Sequence, residues 1–245
     1  MTEQHFPAPH PVRLEIRVAA GDIHIETVDG DEATVTLDGS ERVVEAMRVE
    51  LLGDRLVIEQ RKRSVLGWLS HLDALRVGVR VPPASAVRIA TASADARLAG
   101  KFGELETKSV SGDVVVTGEV EGDAQAKTVS GDVRLPNVAR DLVVQSVSGD
   151  IAADSVAGSA TVKTVSGDLR VGSLREGRVN LQSVSGDVEL GVAAGTSIDI
   201  DAASASGDLI SEVPLSDVRD DAGGPTVVIR GHTVSGDLRV LRAAP

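Results

Sequence analysis

Lys127-Thr128-Val129-Ser130-Gly131-Asp132-Val133-Arg134-Leu135 decides the fold, because the chain keeps returning to it. Ser-Gly-Asp recurs with its serine at 111, 130, 148, 166, 185, 206 and 235, at spacings of 19, 18, 18, 19, 21 and 29 residues. A degenerate copy, Ser93-Ala94-Asp95, lies 18 residues before the first. The two longest spacings read as the same unit carrying loop insertions. Self-similarity at a fixed short period marks a repeat architecture and outranks local propensity.

Aligned on the motif serine, the copies resolve into columns. Six residues before it stand Leu105, Ala124, Leu142, Ala160, Val179, Ile200 and Ile229. Four before it stand Thr107, Ala126, Val144, Val162, Leu181, Ala202 and Gly231. The column after them, three before the serine, is mostly polar: Lys108, Lys127, Gln145, Lys163, Gln182, Ala203 and His232. Directly after each aspartate come Val114, Val133, Ile151, Leu169, Val188, Leu209 and Leu238, and two further on Val116, Leu135, Ala153, Val171, Leu190, Ser211 and Val240. Alternation with period two is that of a strand with one buried face. Each unit therefore holds two short strands separated by corners.

A unit of about 18 residues is too short for a strand plus a crossover helix. It suits one coil of a parallel β-helix, each strand bonded to the same strand of the next coil. A run of antiparallel hairpins explains the alternation but not the constant column identities. The expected fold is all-β: a β-solenoid of about 18-residue coils with a β-rich N-terminal cap.

The turn residues are expected to be structural: Gly112-Asp113, Gly131-Asp132, Gly149-Asp150, Gly167-Asp168, Gly186-Asp187, Gly207-Asp208 and Gly236-Asp237. Glycine reaches positive φ without a Cβ clash, and aspartate can accept backbone N–H groups in an Asx-type turn. Stacked aspartates repel, by roughly 0.8 kcal/mol at about 5 Å in water-like dielectric. Local N–H bonds, the arginines 134, 170 and 239, or Ca²⁺ between coils are three ways to offset this. The hydroxyl two before the motif serine (109, 128, 146, 164, 183, 204 and 233) suggests a ladder between coils. One before the serine stand Val110, Val129, Val147, Val165, Val184, Ala205 and Val234. Either the chain bends and turns this column inward, or a valine ladder lines the outside as an association face.

Residues 1–11 are expected to be a disordered tail, 12–90 a β-rich capping section, and 91–245 the solenoid. Leu14-Glu15-Ile16-Arg17-Val18 and Ile23-His24-Ile25 alternate, and Ala20-Gly21-Asp22-Ile23 echoes the repeat faintly. Residues 43–51 suit a short helix or a strand equally. Residues 64–72 break the pattern and hold the one tryptophan. Val65, Leu66, Trp68, Leu69 and Leu72 read either as a plug for the solenoid end or as a docking segment for a partner or membrane.

The bulk numbers narrow the function. Aromatic residues make up 1% of the chain against 42% hydrophobic overall, so the core consists of thin layers of small, stiff side chains. The net charge of −12 argues against nucleic acid as a partner. With no cysteine, disulfides, thiolate nucleophiles and cysteine-based zinc sites are excluded. The five histidines show no ligand spacing, and no Gly-x-Ser-x-Gly elbow occurs. No cofactor and no catalytic residues are expected. No apolar run reaches bilayer-spanning length and no signal-peptide pattern opens the chain, so a cytoplasmic location is the expectation.

Val79-Arg80-Val81-Pro82, followed by serial copies of [ST]-V-S-G-D-[VIL]-x-[VL], resembles the bacterial putative-adhesin family of β-strand-repeat proteins. The resemblance runs from about residue 12 to 245 and is strongest from 77 onward. It implies a β-solenoid and carries no catalytic residues over to this chain. The expected function is a non-catalytic, adhesin-like binding or scaffolding surface, with a protein partner or self-association and a possible tie to the cell envelope. Two alternatives stand beside it: an envelope glycan-binding or glycan-modifying β-helix, and a Ca²⁺-stabilised repeat module.

Overall fold

The computed structural model describes residues 1–60, 75–213 and 224–243. The chain is nearly all β and divides into two compact units, Met1–Glu121 and Gly122–Pro245.

The first unit contains β1 (Thr2–Pro7), β2 (Arg13–Val18), β3 (Asp22–Thr27), β4 (Glu32–Asp38), a short helix α1 (Glu41–Glu45) and β5 (Met47–Leu52). It continues with β6 (Arg55–Gln60), β7 (Arg76–Val81), β8 (Ser85–Thr91), β9 (Asp95–Lys108) and β10 (Val114–Val120). Its parallel strands stack as coils. β2 lies between β6 and β8, with Leu14 opposite both Leu56 and Val87. β3 lies between β7 and β9, with Ile25 opposite both Val79 and Leu98. β9 serves two coils: residues near Leu98 pair with β10, and residues near Leu105 pair with β8. It passes from one face to the next at Gly100, whose φ of +119° lets the strand bend without ending.

The faint echo at residues 20–23 is a true coil corner, since Asp22 stands in register with Asp95. The N-terminal section is thus itself coiled, and antiparallel strands close it: β5 on β6, β4 on β7, and β1 on β4. The expected disordered tail is corrected here. Residues 2–7 form an edge strand in which Phe6 stands opposite Ala33. An edge strand tolerates proline because one side of its ladder carries no partner, which is how Pro7 is accommodated. The ambiguous stretch 43–51 divides between the end of α1 and β5.

The second unit contains β11 (Ala124–Lys127), β12 (Val133–Val138), β13 (Leu142–Gln145), β14 (Ile151–Val156), β15 (Ala160–Lys163) and β16 (Leu169–Leu174). It continues with β17 (Gly177–Gln182), β18 (Val188–Val192), β19 (Ser197–Ser206), β20 (Leu209–Ser211), β21 (Thr226–Ser235) and β22 (Leu238–Arg242). Two parallel ladders run through it. One takes the order β11, β13, β15, β17, β21, β19, and the other β12, β14, β16, β18, β22, β20. Residues of one column stand opposite each other, as with Leu142, Ala160 and Val179. The inward columns are almost fully buried, Leu142, Val144, Val162 and Leu190 among them.

Chain order and stacking order part company near the end. β21 and β22 sit between the coil of β17/β18 and the coil of β19/β20. The 29-residue spacing is therefore not a plain loop insertion in a serial stack; the last coil enters one place before the end. Composition explains the exchange. The inserted coil keeps the full motif Thr233-Val234-Ser235-Gly236-Asp237-Leu238-Arg239-Val240, whereas residues 204–211 read Ser-Ala-Ser-Gly-Asp-Leu-Ile-Ser. An interior coil must fill the core against two neighbours, and an outer coil against one. The poorer sequence takes the outer place, where Leu209 is 49% exposed although its column is apolar.

Candidate functional site

The regular feature of the molecule is its Ser-Gly-Asp corner, and its geometry follows from where each polar group finds a partner. The hydroxyl two before the motif serine is buried at Ser109, Thr128, Ser146, Thr164, Ser183 and Thr233. It continues the inward alternation of the strand, and a polar group there needs a hydrogen bond. It does not build a ladder between coils. These six bond across their own turns, in one of two ways, and only the half-buried Ser204 reaches a neighbouring coil, donating to the Gly236 carbonyl at 3.5 Å.

In the first way the hydroxyl accepts the glycine N–H, Ser146 donating as well to the Gly149 carbonyl at 3.1 Å. Ser109 Oγ, Thr128 Oγ1 and Ser146 Oγ take the N–H of Gly112, Gly131 and Gly149 at 2.9, 3.0 and 3.0 Å. In the second it donates: Thr164 Oγ1 to the Ser166 carbonyl at 3.2 Å, Ser183 Oγ to that of Ser185 at 3.4 Å, and Thr233 Oγ1 to that of Ser235 at 3.2 Å. The turns of the second kind have glycine at φ near +120° (Gly167 +121°, Gly186 +122°, Gly236 +124°). The Ser–Gly peptide is turned over between the two kinds, and a hydroxyl serves both because it donates and accepts. Even where φ is ordinary the glycine is needed: a Cβ on Gly149 would overlap the carbonyl oxygen of Gly131 in the coil below.

The aspartates work between coils rather than within the turn. Asp150 N–H donates to Asp132 Oδ1 at 3.0 Å, Asp168 to Asp150 at 2.9 Å, Asp187 to Asp168 at 2.9 Å, Asp237 to Asp187 at 3.0 Å and Asp208 to Asp237 at 3.0 Å. In the first unit Asp113 N–H donates to Asp95 Oδ1 at 3.1 Å. Charge-assisted bonds of this kind offset the repulsion of stacked carboxylates. Arg134 and Arg239 lie 3.6 and 3.2 Å from Asp132 and Asp237, but Arg170 pairs with Glu189 at 3.3 Å instead of its aspartate. The opposite corner uses the same device: Asp141 N–H donates to Asp123 Oδ1, and Ser159 N–H to Asp141 Oδ1.

With the hydroxyl held inside, the next residue must point out. Val129, Val147, Val165, Val184 and Val234 of the second unit are 43–54% exposed, and Val110 of the first unit is 51% exposed. In the second unit the successive turns are joined by bonds from Ser148 N–H to the Val129 carbonyl, Ser166 to Val147, Ser185 to Val165 and Ser235 to Val184, all 2.7–2.8 Å. Five valines thus form one ridge in strand-ladder register. Polar side chains flank it: Lys127, Gln145, Lys163, Gln182 and His232 on the strand side, and exposed serines on the corner side. Of the two directions expected for this column, the outward one that strict alternation gives is the one observed; the corner does not bend it inward.

The segment holding Val65, Leu66, Trp68, Leu69 and Leu72 lies outside the described residues. The first unit also bears a shallow depression over Gly78, edged by Glu3, His24, Glu26, Thr36 and Arg80, where the missing side chain leaves a gap in a flat sheet face. Among the described residues no three His, Asp or Glu side chains are grouped to hold a metal ion, and no helix is long and apolar enough to cross a membrane.

No curated protein matches the chain. Among solved structures, it is similar to one described as a putative adhesin from Bacteroides fragilis, at 13% identity and TM-score 0.59, with 97% of this chain and 96% of that one covered. It is similar also to one described as a putative lipid binding protein from Parabacteroides distasonis, at 15% identity and TM-score 0.58, covering 98% and 96%. At such identities the likeness is one of fold. A family model matches residues 12–241, nearly the whole coiled region, and on that match the chain belongs to the Toastrack DUF4097 family.

Proposed function

We propose that the chain is a non-catalytic, adhesin-like binding module that meets protein surfaces, its own copies included, through the valine ridge of its second unit. One observation carries this reading: five β-branched apolar side chains stand outward in register, each about half exposed. Stacked turns hold them on a rigid backbone, so little ordering entropy is lost on contact. A contiguous apolar row rimmed by polar residues is the composition of an association face.

The alternatives find less support. Glycan sites rely on aromatic platforms, and among the described residues Phe102 is fully buried while Phe6 sits half-buried in an edge strand. For calcium, one oxygen each of Asp132, Asp150, Asp168, Asp187 and Asp237 already accepts a backbone N–H, which offsets their repulsion without a cation.

The test is sedimentation over a concentration series, comparing the native chain with the Val147→Ser, Val165→Ser double variant. The native chain is expected to associate, and the variant to remain folded and sediment as a monomer. A native chain that is monomeric throughout, or a variant that associates as tightly as the native chain, refutes the ridge as a contact face. Loss of the variant's fold would instead place the column in the core.

A further inference from the structure

The second unit has an unusual ending: its last coil is a guest between two coils that are neighbours in sequence. β21 bonds to β17 on one side and β19 on the other, and β22 likewise to β18 and β20. Both hosts present the same columns to the guest. Ile229 stands opposite Val179 and Ile200, Gly231 opposite Leu181 and Ala202, Leu238 opposite Val188 and Leu209, and Val240 opposite Leu190 and Ser211. The two hosts are 21 residues apart, close to the 18 and 19 that separate directly stacked coils. If the guest withdraws, the hosts can close on each other column for column, and only the guest is left with unpaired ladder edges. Those edges are satisfied equally by its own slot or by the same slot in another copy, so the element has two self-consistent seatings.

We propose that residues 226–242 are an exchangeable coil, and that two copies of this chain join by each seating this coil between the 177–192 and 197–211 coils of the other. The seated coil makes the same ladder bonds and fills the same columns in either copy. Exchange thus conserves the contacts of the fold, and concentration decides between the closed and the joined form. The closed form is favoured in dilute solution because the coil's own slot is tethered to it. The first unit repeats the design at the other terminus, where β2 and β3 sit between the coils of β6/β7 and β8/β9. This joining is independent of the valine ridge, which holds copies surface to surface.

The chain has no cysteine, which makes cross-linking clean. Asn180 and Arg230 are exposed, outward-facing neighbours in register on β17 and β21. Full-length chains bearing Asn180→Cys alone and Arg230→Cys alone are mixed in urea, refolded together at low and at high protein concentration, oxidised, and mapped by peptide mass spectrometry. Exchange predicts links between residues 180 and 230 of different chains. These should dominate over 180–180 and 230–230 links, and their share should rise with the concentration at refolding. The Asn180→Cys, Arg230→Cys double variant, oxidised when dilute, must give the intrachain link and so reports that the coil is seated. If the double variant links only within chains at every concentration, and the mixed single variants yield no 180–230 link, exchange is overturned. Ridge contacts alone produce association without that link, so the two routes are told apart.

Discussion

Thr128→Val changes one hydroxyl to a methyl and leaves the shape of the side chain intact. Thr128 Oγ1 accepts the N–H of Gly131 at 3.0 Å in a buried setting, and Gly131 itself is buried. Valine accepts nothing, so the N–H is stranded away from water. Such a stranded donor costs about 1–3 kcal/mol, and the extra methyl, buried in a column of Ser and Thr side chains, returns at most about 0.8 kcal/mol. The expected net loss is about 1–2 kcal/mol. Thr164→Val is the matched control. There the hydroxyl donates to the carbonyl of Ser166, an exposed residue, and water can replace it, so the expected loss is only about 0.5 kcal/mol. Thr128→Ser keeps the acceptor and should fall close to the native chain. Urea titration at constant m-value measures all three. A Thr128→Val chain as stable as the native one, or a Thr164→Val chain destabilised equally, means that the corners do not come in two hydrogen-bonded kinds.

Gly149→Ala places a Cβ against the Gly131 carbonyl oxygen and must push two coils apart; a loss of about 1–3 kcal/mol is expected from overpacking, read as a lowered urea midpoint. In the first unit, the hydrogen bond from Lys108 and then the charge of Arg88 hold the Glu106 carboxyl below the ordinary glutamate range. With the folded-state pKa lowered, the ionised form stabilises the fold at neutral pH, and that contribution is lost as pH falls through the folded value. Glu106→Gln should therefore cost roughly 0.5 kcal/mol at pH 7 for so accessible a pair, and the difference from the native chain should close below about pH 4.3. Thermal melts of both chains across pH 2–8 check the convergence.

Much of this fold was legible in the residues because one 18-residue pattern carries strand period, corner and column identity together. The direction of the valine column was also implicit in the alternation. Strict period two places Thr128 inside and Val129 outside. A hydroxyl is tolerated at the inside place because the turn's own backbone satisfies it, not a neighbouring hydroxyl. The order of the coils was not legible, for a physical reason: every coil offers the same columns to its neighbours, so any permutation satisfies the pattern. One signal did mark the outer coil. Ala205 replaces the column valine, and Ser211 stands where other coils carry an apolar residue such as Leu190 or Val240. The strand at residues 2–7 escaped notice because its support is an antiparallel partner, β4, rather than the repeat. Of the three arginines expected near the aspartates, Arg134 and Arg239 lie there, and Arg170 does not because Glu189, opposite it on the next strand, competes with the aspartate two residues away.

Parallel coils in register, with the last one seated as a guest, make a demand that solution NMR can check on a deuterated chain with protonated methyl groups. Val179, Ile229 and Ile200 share one inward column. Methyl contacts are expected between Val179 and Ile229 and between Ile229 and Ile200. The Val179–Ile200 contact should be weak or missing, since those residues stand two strand spacings apart, about 9.6 Å. A strong Val179–Ile200 contact with Ile229 remote from both, or cross-peaks that pair β17 and β21 in opposite directions, contradicts the stacking described.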